Sequence, residues 1–213
     1  VMNNLLAGAY RDRVTPVNPA HRRIQGLRAV PSVAELDIAP ELAVVCSPPG
    51  TVPGIIADLG ARGCKAAVVL TGGLSLQTLA DGRTLTQAML DAARPHLLRI
   101  LGPNCLGLLV PAIGLNASFA HTDALPGKLA FLSQSGALAT TVLDWGKSHQ
   151  IGFSCFLSLG ESADVDFGDL LDYLGRDPGT DAILLYMESV KAARKFMSAA
   201  RATARAKIVL AVK

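Results

Sequence analysis

The sequence has few aromatic and few charged residues. Aromatic residues make up 5% of the 213 residues and charged residues 17%, whereas hydrophobic residues make up 50%. No apolar run reaches the roughly 18 residues that a membrane-spanning helix needs, and no signal-peptide pattern is present. The net charge of +3 is small and scattered, which gives no support for nucleic-acid binding. The composition predicts a globular protein of the cytoplasm, with neither a membrane nor a nucleic acid as partner.

The four cysteines are too scattered to predict a disulfide framework or a zinc site. Cys46, Cys64, Cys105 and Cys155 form no C-x-x-C pair, and no histidine lies at metal-ligand spacing from them. We therefore expect no bound metal, a reducing compartment, and small core positions for Cys46, Cys64 and Cys155. The sequence also lacks a G-x-G-x-x-G motif, a P-loop, a Ser-His-Asp set and an H-E-x-x-H motif.

The apolar residues occur in short runs that alternate with helical segments. This βαβαβ pattern predicts an α/β fold with a parallel, doubly wound sheet. A second α/β unit follows a stretch, residues 108–126, that we expect to be an irregular crossing. The predicted domains are 1–123 and 124–213. Strands are predicted at 14–18, 42–46, 66–70, 97–101, 129–132, 151–157, 182–187 and 208–212, and helices at 32–36, 52–62, 76–93, 136–147, 166–175 and 191–204.

Each predicted strand of the first unit ends in a loop rich in Pro, Gly, Asn or Ser. Ligands of doubly wound sheets bind beyond the carboxyl ends of the strands, and glycine lets a ligand approach the backbone closely. The four loops are therefore candidates for one binding crevice, although each could also be a simple turn. Their candidate residues are Asn18, Pro19, Ser47, Pro48, Pro49, Thr71, Gly72, Gly73, Asn104 and Cys105.

The segment from Gly127 to Ala139 predicts a strand, a loop of small polar residues and a helix start. The loop consists of Ser133, Gln134, Ser135 and Gly136. Backbone N–H groups and hydroxyls that converge at a helix N-terminus suit an anion, and the helix dipole adds to the attraction. The segment therefore indicates a phosphate site. The alternative is that Ser133 or Ser135 only caps the helix.

Several motifs in order resemble those of the NDP-forming acyl-CoA synthetases. They are Val17-Asn18-Pro19, Gly102-Pro-Asn-Cys-Leu-Gly107, Leu115-Asn-Ala-Ser-Phe119, Phe131-Leu-Ser-Gln-Ser-Gly-Ala137, the run from Ser158 to Gly168, and Ile183-Leu-Leu-Tyr-Met-Glu188. The family includes the ADP-forming acetyl-CoA synthetases and, more distantly, the succinyl-CoA synthetase alpha subunit. The stretches 114–119 and 127–131 most resemble the synthetase-like half of bacterial lysine acetyltransferases that carry a GCN5-type domain.

The resemblance implies a CoA-binding Rossmann-like domain followed by a flavodoxin-like domain of the succinyl-CoA synthetase type. Members interconvert acyl-CoA, phosphate and nucleotide through an acyl phosphate and a phosphohistidine. The strand-end loops of the first unit would hold CoA or acyl-CoA, with Asn104 and Cys105 near its thiol end. Residues 133–136 would hold the phosphoryl group, and Glu188 would be the carboxylate that faces the catalytic histidine. The alternative for Glu188 is that it simply lies in solvent at the end of its strand.

The sequence departs from the family pattern at both ends. The family's first strand and its Gly-rich CoA loop would precede Val1, and its histidine loop would follow Lys213. His21, His96, His121 and His149 match no phosphohistidine loop, and His96 is expected to be structural. We therefore interpret the chain as a fragment that is inactive alone, with ADP or ATP and magnesium bound only in the complete protein. The expected partners are an ATP-grasp domain or subunit, or a GCN5-type acetyltransferase domain, and a homo-oligomer is possible. In the second case the module would be a regulatory acyl-CoA sensor.

Overall fold

The computed structural model describes residues 1–213, which form six α-helices and eleven β-strands. None of the helices is both long enough and apolar enough to cross a membrane. The helices are α1 (Met2–Ala7), α2 (Val52–Ala61), α3 (Leu85–Ala93), α4 (Gly136–Ser148), α5 (Phe167–Arg176) and α6 (Ala193–Thr203). The strands are β1 (Arg23–Ile24), β2 (Leu27–Arg28), β3 (Leu42–Val45), β4 (Ala66–Val69), β5 (Arg99–Leu101), β6 (Gly107–Val110), β7 (Leu115–Ser118), β8 (Leu125–Ser133), β9 (Gly152–Ser158), β10 (Ala182–Tyr186) and β11 (Ile208–Val212).

The first unit contains a parallel sheet of order β3-β4-β5, linked through α2 and α3. The predicted βαβαβ pattern is confirmed from residue 42 onward, and residues 33–35 form a single 3-10 turn within the predicted helix 32–36. The strand predicted at 14–18 is wrong, because this segment makes only a parallel bridge between Val17 and Val30. β1 and β2 form a separate antiparallel hairpin.

The predicted helix 76–93 is too long at its N-terminus. α3 begins after Thr84, whose side chain accepts the Gln87 N–H while the Gln87 side chain accepts the Thr84 N–H. This capping box satisfies two N–H groups at the helix start and so fixes where the helix begins. Before it the chain turns at Gly82, where φ is +84°. A helix cannot pass through that conformation.

The second unit is a six-stranded sheet of order β11-β10-β8-β9-β6-β7. The first four strands are parallel, as predicted, and β11 has the predicted bounds. The expectation of an irregular stretch at 108–126 is wrong, because β6 and β7 form an antiparallel pair and β6 hydrogen-bonds to β9. β8 also starts at Leu125, with irregular pairing between Pro126 and Ala130. The domain boundary at 123 stays a prediction.

The two units share an apolar core and an extended chain segment. Val68 and Leu101 of the first sheet belong to the same buried cluster as Leu132 and Ile183 of the second. The segment 161–165 runs beside the edge of β5, where the N–H groups of Glu161, Ala163 and Val165 donate to the carbonyls of Pro103, Gly102 and Ile100 at 2.9, 3.0 and 3.1 Å. The loops of the two units are therefore held against each other.

Candidate functional site

The structure brings three of the predicted strand-end loops together. The Thr71 hydroxyl, after β4, donates to the Ser47 carbonyl after β3 at 2.8 Å. The Asn104 N–H, after β5, donates to the Thr71 carbonyl at 3.0 Å. Parallel strands in register end at one edge of the sheet, so these three loops form a continuous rim. The rim is the first part of the candidate site.

Two glycines make the rim accessible to a ligand. A Cβ atom at Gly72 would lie 2.8 Å from the Asn104 Oδ1 atom, so the two loops touch only because residue 72 has no side chain. Gly73 has φ +80° and faces open space, since a Cβ built there would meet no atom within 4 Å. A positive φ favours glycine. Asn104, itself at φ +57°, is exposed beside this open space.

The remaining predicted site residues of the first unit differ in their exposure and hydrogen bonding. The Asn18 Oδ1 atom accepts the N–H groups of Ala20 and His21 at 2.9 and 3.0 Å, and no hydrogen bond joins it to the other loops. Pro19 and Pro48 are exposed and Pro49 is half-buried. Cys105 is 2% exposed, and its Sγ atom lies 3.4 Å from the Val69 carbonyl. Only the backbone of residue 105, not its side chain, could reach a ligand.

The loop 133–136 leaves fewer free donors than its sequence indicates. The buried Ser133 hydroxyl donates to the Ser135 carbonyl at 2.8 Å and accepts the Ser135 N–H at 3.1 Å. The Ser135 hydroxyl caps α4 by accepting the Leu138 N–H at 3.3 Å. The N–H groups of Gly136 and Ala137 have no intrahelical acceptor. A Cβ at Gly136 would meet no atom within 4 Å, so open space adjoins these donors.

Gln134 links this loop to Glu188. The Gln134 N–H donates to the Tyr186 carbonyl at 3.2 Å, and its Oε1 atom accepts the N–H groups of Glu188 and Ser189 at 2.6 and 2.9 Å. Glu188 itself is exposed at the end of β10. The side-chain oxygen of Gln134 is thus occupied by backbone donors.

A polar cleft of about 450 Å³ joins the loops of both units. Its walls include Asn104, Gln134 and Glu188, which the sequence assigned to three separate roles. Sequence reasoning missed its other lining residues, which are Ser75, Gly160, Glu161, Ser189 and Lys191. Gly160 and Glu161 lie within the run 158–168 that carries part of the family resemblance, so a signal for them was present. No hydrophobic side chain lines the cleft.

Gly160 is a point of close backbone contact between the units. Its φ is +55°, and a Cβ atom there would lie 2.3 Å from the carbonyl oxygens of Pro103 and Asn104. Only glycine lets these two backbones meet at this distance. Because Asn104 lies at one end of this contact and Glu161 follows the other, the contact sets the width of the cleft.

An ion-pair network at the start of β5 also joins the units. Arg99 on β5 lies 3.0 Å from Asp164 and 3.4 Å from Asp169, and Lys195 lies 2.9 Å from Asp169. Burial alone would raise the pKa of Asp169, but the hydrogen bonds from Lys195 and the Asp166 N–H, with the charges of Lys195 and Arg99, lower it. The hydrogen bond with Asp164 raises the pKa of Arg99. The network therefore favours the charged forms at neutral pH.

Three of the four cysteines are buried and contribute to packing. Burial raises the pKa of the Cys105 and Cys155 thiols to about 12 and also raises the pKa of Cys64. Cys46 was expected in the core but is exposed, because β3 ends at Val45. No group of three or more His, Cys, Asp or Glu side chains could hold a metal ion.

The histidines lie outside the cleft. His96 packs against α2, where a Cβ at Gly60 would lie 2.4 Å from its ring, which fits the structural role expected for it. The His121 ring lies 2.7 Å from Asp144, and the His149 ring stacks on Trp145.

Comparison with known protein families gives two matches that together cover most of the chain. Residues 1–111 match the CoA binding domain, and residues 126–213 match the succinyl-CoA ligase like flavodoxin domain. The stretch between the two matches contains β7.

Individual relatives match the whole chain. Acetate–CoA ligase (ADP-forming) I of Archaeoglobus fulgidus is 38% identical over 213 residues, which is 100% of this chain and 31% of that protein. The alpha subunit of the Pyrococcus furiosus enzyme I of the same name is 35% identical, over 100% of this chain and 47% of the subunit. The dinucleotide forming acetyl-coenzyme A synthetase 1 of Ca. Korarchaeum cryptofilum, solved with phosphate and ADP, superimposes with a TM-score of 0.91 at 34% identity, over 100% of this chain and 46% of that chain. The chain thus spans less than half the length of these relatives.

Proposed function

The chain belongs to the NDP-forming acyl-CoA synthetase family, and from this premise we propose that it forms the acyl-CoA- and phosphate-binding part of an ADP-forming acyl-CoA synthetase. The reaction of the complete protein would convert acyl-CoA, ADP and phosphate into the free acid, CoA and ATP. The observation that carries the proposal is the single cleft lined by Asn104, Gln134 and Glu188. Asn104 from the proposed CoA site, Gln134 from the proposed phosphate site and Glu188 from the proposed histidine site all line this cleft.

Coenzyme A would bind along the rim of the first unit. The open space at Gly73 and the close backbone approach at Gly72 suit a ligand that lies along the loops after β3 and β4. Ser47, Pro48, Pro49 and Thr71 would line this path, and Asn104 would meet the thiol end where the rim opens into the cleft. The cofactor supplies a thiol that carries the acyl group. Asn18 and Pro19 remain predicted CoA contacts at the end of the path that lies away from the cleft.

Phosphate would bind at the start of α4 through fewer groups than the sequence indicated. The N–H groups of Gly136 and Ala137 are the available backbone donors, and the dipole of a 13-residue helix favours an anion there. Ser133 and Ser135 support this loop by capping and internal hydrogen bonds. Gln134 keeps only its Nε2 hydrogens for a ligand.

Glu188 would orient the histidine that carries the phosphoryl group. A carboxylate that accepts an imidazole N–H sets the ring's tautomer and stabilises its charged form. That histidine would come from outside residues 1–213. ADP or ATP and magnesium would bind an ATP-grasp domain or subunit rather than this chain. Association of copies of the protein into a homo-oligomer is a separate proposal.

The test is ATP formation by the complete protein that contains this chain, from acetyl-CoA, ADP and phosphate. Glu188→Gln removes the negative charge without changing the size of the side chain. We expect it to lower kcat on the order of 100-fold or more, because the histidine would lose the carboxylate that sets its tautomer. Glu41→Gln is the matched control, because Glu41 is exposed and remote from the cleft. Equal activity of the two variants would refute the role of Glu188.

A second candidate is the regulatory acyl-CoA-binding module of a lysine acetyltransferase with a GCN5-type domain. The stretches 114–119 and 127–131 favour it. In that case the wild-type protein forms no ATP in this assay, yet acetyl-CoA still binds and changes the rate of lysine acetylation. Measuring both rates on one preparation separates the two candidates.

A further inference from the structure

Gln134 occupies the junction between β8 and the loop after β10. Its backbone N–H donates to the Tyr186 carbonyl at 3.2 Å, one step beyond the paired residues Ser133 and Tyr186. The residue therefore extends the ladder between the two strands, and its half-buried side chain starts from a fixed backbone.

The side chain of Gln134 makes two hydrogen bonds to the Glu188 loop, the segment 188–191. Its Oε1 atom accepts the Glu188 N–H at 2.6 Å and the Ser189 N–H at 2.9 Å. A carboxamide oxygen has two lone pairs, and both are used here. The bonds reach the backbone of the residue whose carboxylate borders the cleft, so they fix where that side chain starts.

The other end of the loop is held by Lys191. Its Nζ atom donates to the Glu161 carbonyl at 2.6 Å and lies 3.5 Å from the Ser162 carbonyl. The segment that contains Glu161 is itself hydrogen-bonded to the Pro103 carbonyl of the first unit. The Glu188 loop is thus attached at one end to Gln134, which follows β8, and at the other end to the segment 161–165.

We propose that Gln134 and Lys191 are positioning residues that hold Glu188 at the cleft. The Oε1 atom of Gln134 would then support the carboxylate, while its Nε2 hydrogens would stay available for the phosphate. The inference rests on the proposed function only for what Glu188 does; the two attachments are a separate, measurable property of the chain.

Amide hydrogen exchange followed by NMR on the 213-residue chain tests the proposal. Gln134→Leu removes the acceptor at nearly constant length, and Gln134→Glu keeps an acceptor for both N–H groups. We expect Gln134→Leu to raise the exchange rates of the Glu188 and Ser189 amides by a factor of roughly 2 to 13, which is the factor for one lost hydrogen bond. Gln134→Glu should keep them within about twofold of wild type. Gln150→Leu, at an exposed glutamine whose amide bonds the Lys147 carbonyl, is the control without effect on these amides.

The second attachment has its own variants. Lys191→Met should raise exchange in the same loop, and Lys191→Arg should restore part of the protection. If Gln134→Leu fails to fold, seen as lost protection of Phe131 within β8, then Gln134→Asn, whose amide is one methylene too short, gives the same measurement. Unchanged exchange at Glu188 and Ser189 in a folded Gln134 variant that lacks the acceptor would overturn the proposal.

Kinetics on the complete protein separate this proposal from the proposed function. Gln134→Leu should lower kcat for ATP formation and leave the KM for ADP unchanged, since under the proposed function the nucleotide would bind the ATP-grasp domain or subunit. If Gln134→Leu loosens the amides but Glu188→Gln retains full activity, the role of Glu188 is wrong and the attachments stand. If Glu188→Gln is inactive while Gln134→Leu keeps both protection and kcat, the positioning role alone is wrong.

Discussion

The contact at Gly160 offers a quantitative test of how closely the two units are joined. Gly160→Ala places a methyl group 2.3 Å from two backbone carbonyl oxygens and forces a side chain into φ +55°. The left-handed conformation costs about 1–2 kcal/mol, and relieving the overlap by shifting backbone costs about 1–3 kcal/mol. We therefore expect the free energy of unfolding to fall by about 2–5 kcal/mol.

Urea unfolding followed by the fluorescence of Trp145, the only tryptophan, measures this loss. With a slope of about 2–3 kcal/mol per molar urea, the midpoint should fall by roughly 1–2 M. Gly26→Ala is the matched control, because φ there is +83° but no atom lies within 4 Å of the added Cβ. Gly26→Ala should lower the free energy of unfolding only by the conformational cost of the positive φ, about 1–2 kcal/mol. If the two variants lose the same stability, the loops are not in close contact and the cleft width is not set at Gly160.

Three further outcomes are expected. A thiol reagent should modify Cys46 rapidly in the native chain and the three buried cysteines only after unfolding, which counting released chromophore checks. Because the pKa of Asp169 is lowered in the folded chain, its carboxylate stabilises the fold at neutral pH, and this contribution is lost as the pH falls through the folded-state pKa. Asp169→Asn should therefore lower the free energy of unfolding by about 1 kcal/mol at pH 7 and by less at pH 3. Urea unfolding at both pH values measures the difference. Thr84→Ala should lower stability by about 1 kcal/mol through loss of the capping box, and Thr84→Ser should restore most of it.

The alternation of apolar runs and helical segments was enough to predict most of the fold. Buried parallel strands read as continuous runs of small aliphatic residues, so β3, β4 and β8 to β11 were recognisable. β6 and β7 were missed because their pairing is antiparallel and they lie next to Pro111 and Gly114, which indicate irregular chain. The start of α3 was missed because leucines at 76 and 79 imitate a helical pattern, although both are exposed in a turn-rich loop.

Three of the residues that line the candidate cleft could be named from the sequence, but the geometry that brings them together could not. The rim formed by Ser47, Thr71 and Asn104 follows from parallel strands that end at one edge. The side-chain link from Gln134 to the Glu188 loop joins residues 54 positions apart in the sequence, and no local pattern encodes it. Lys191 and Glu161 were missed for the same reason, since their contact depends on how two loops pack.

We propose that the loops of both units together form one site for acyl-CoA and phosphate. NMR titration of the isotope-labelled chain with acetyl-CoA, with and without phosphate, tests it most directly and detects even weak binding. We expect amide shift changes at Gly72, Gly73 and Asn104 with acetyl-CoA, and at Gly136 and Ala137 with phosphate. Both sets should extend to Gln134 and Glu188 at the cleft. Shift changes confined to another surface, or none at millimolar ligand, would contradict it.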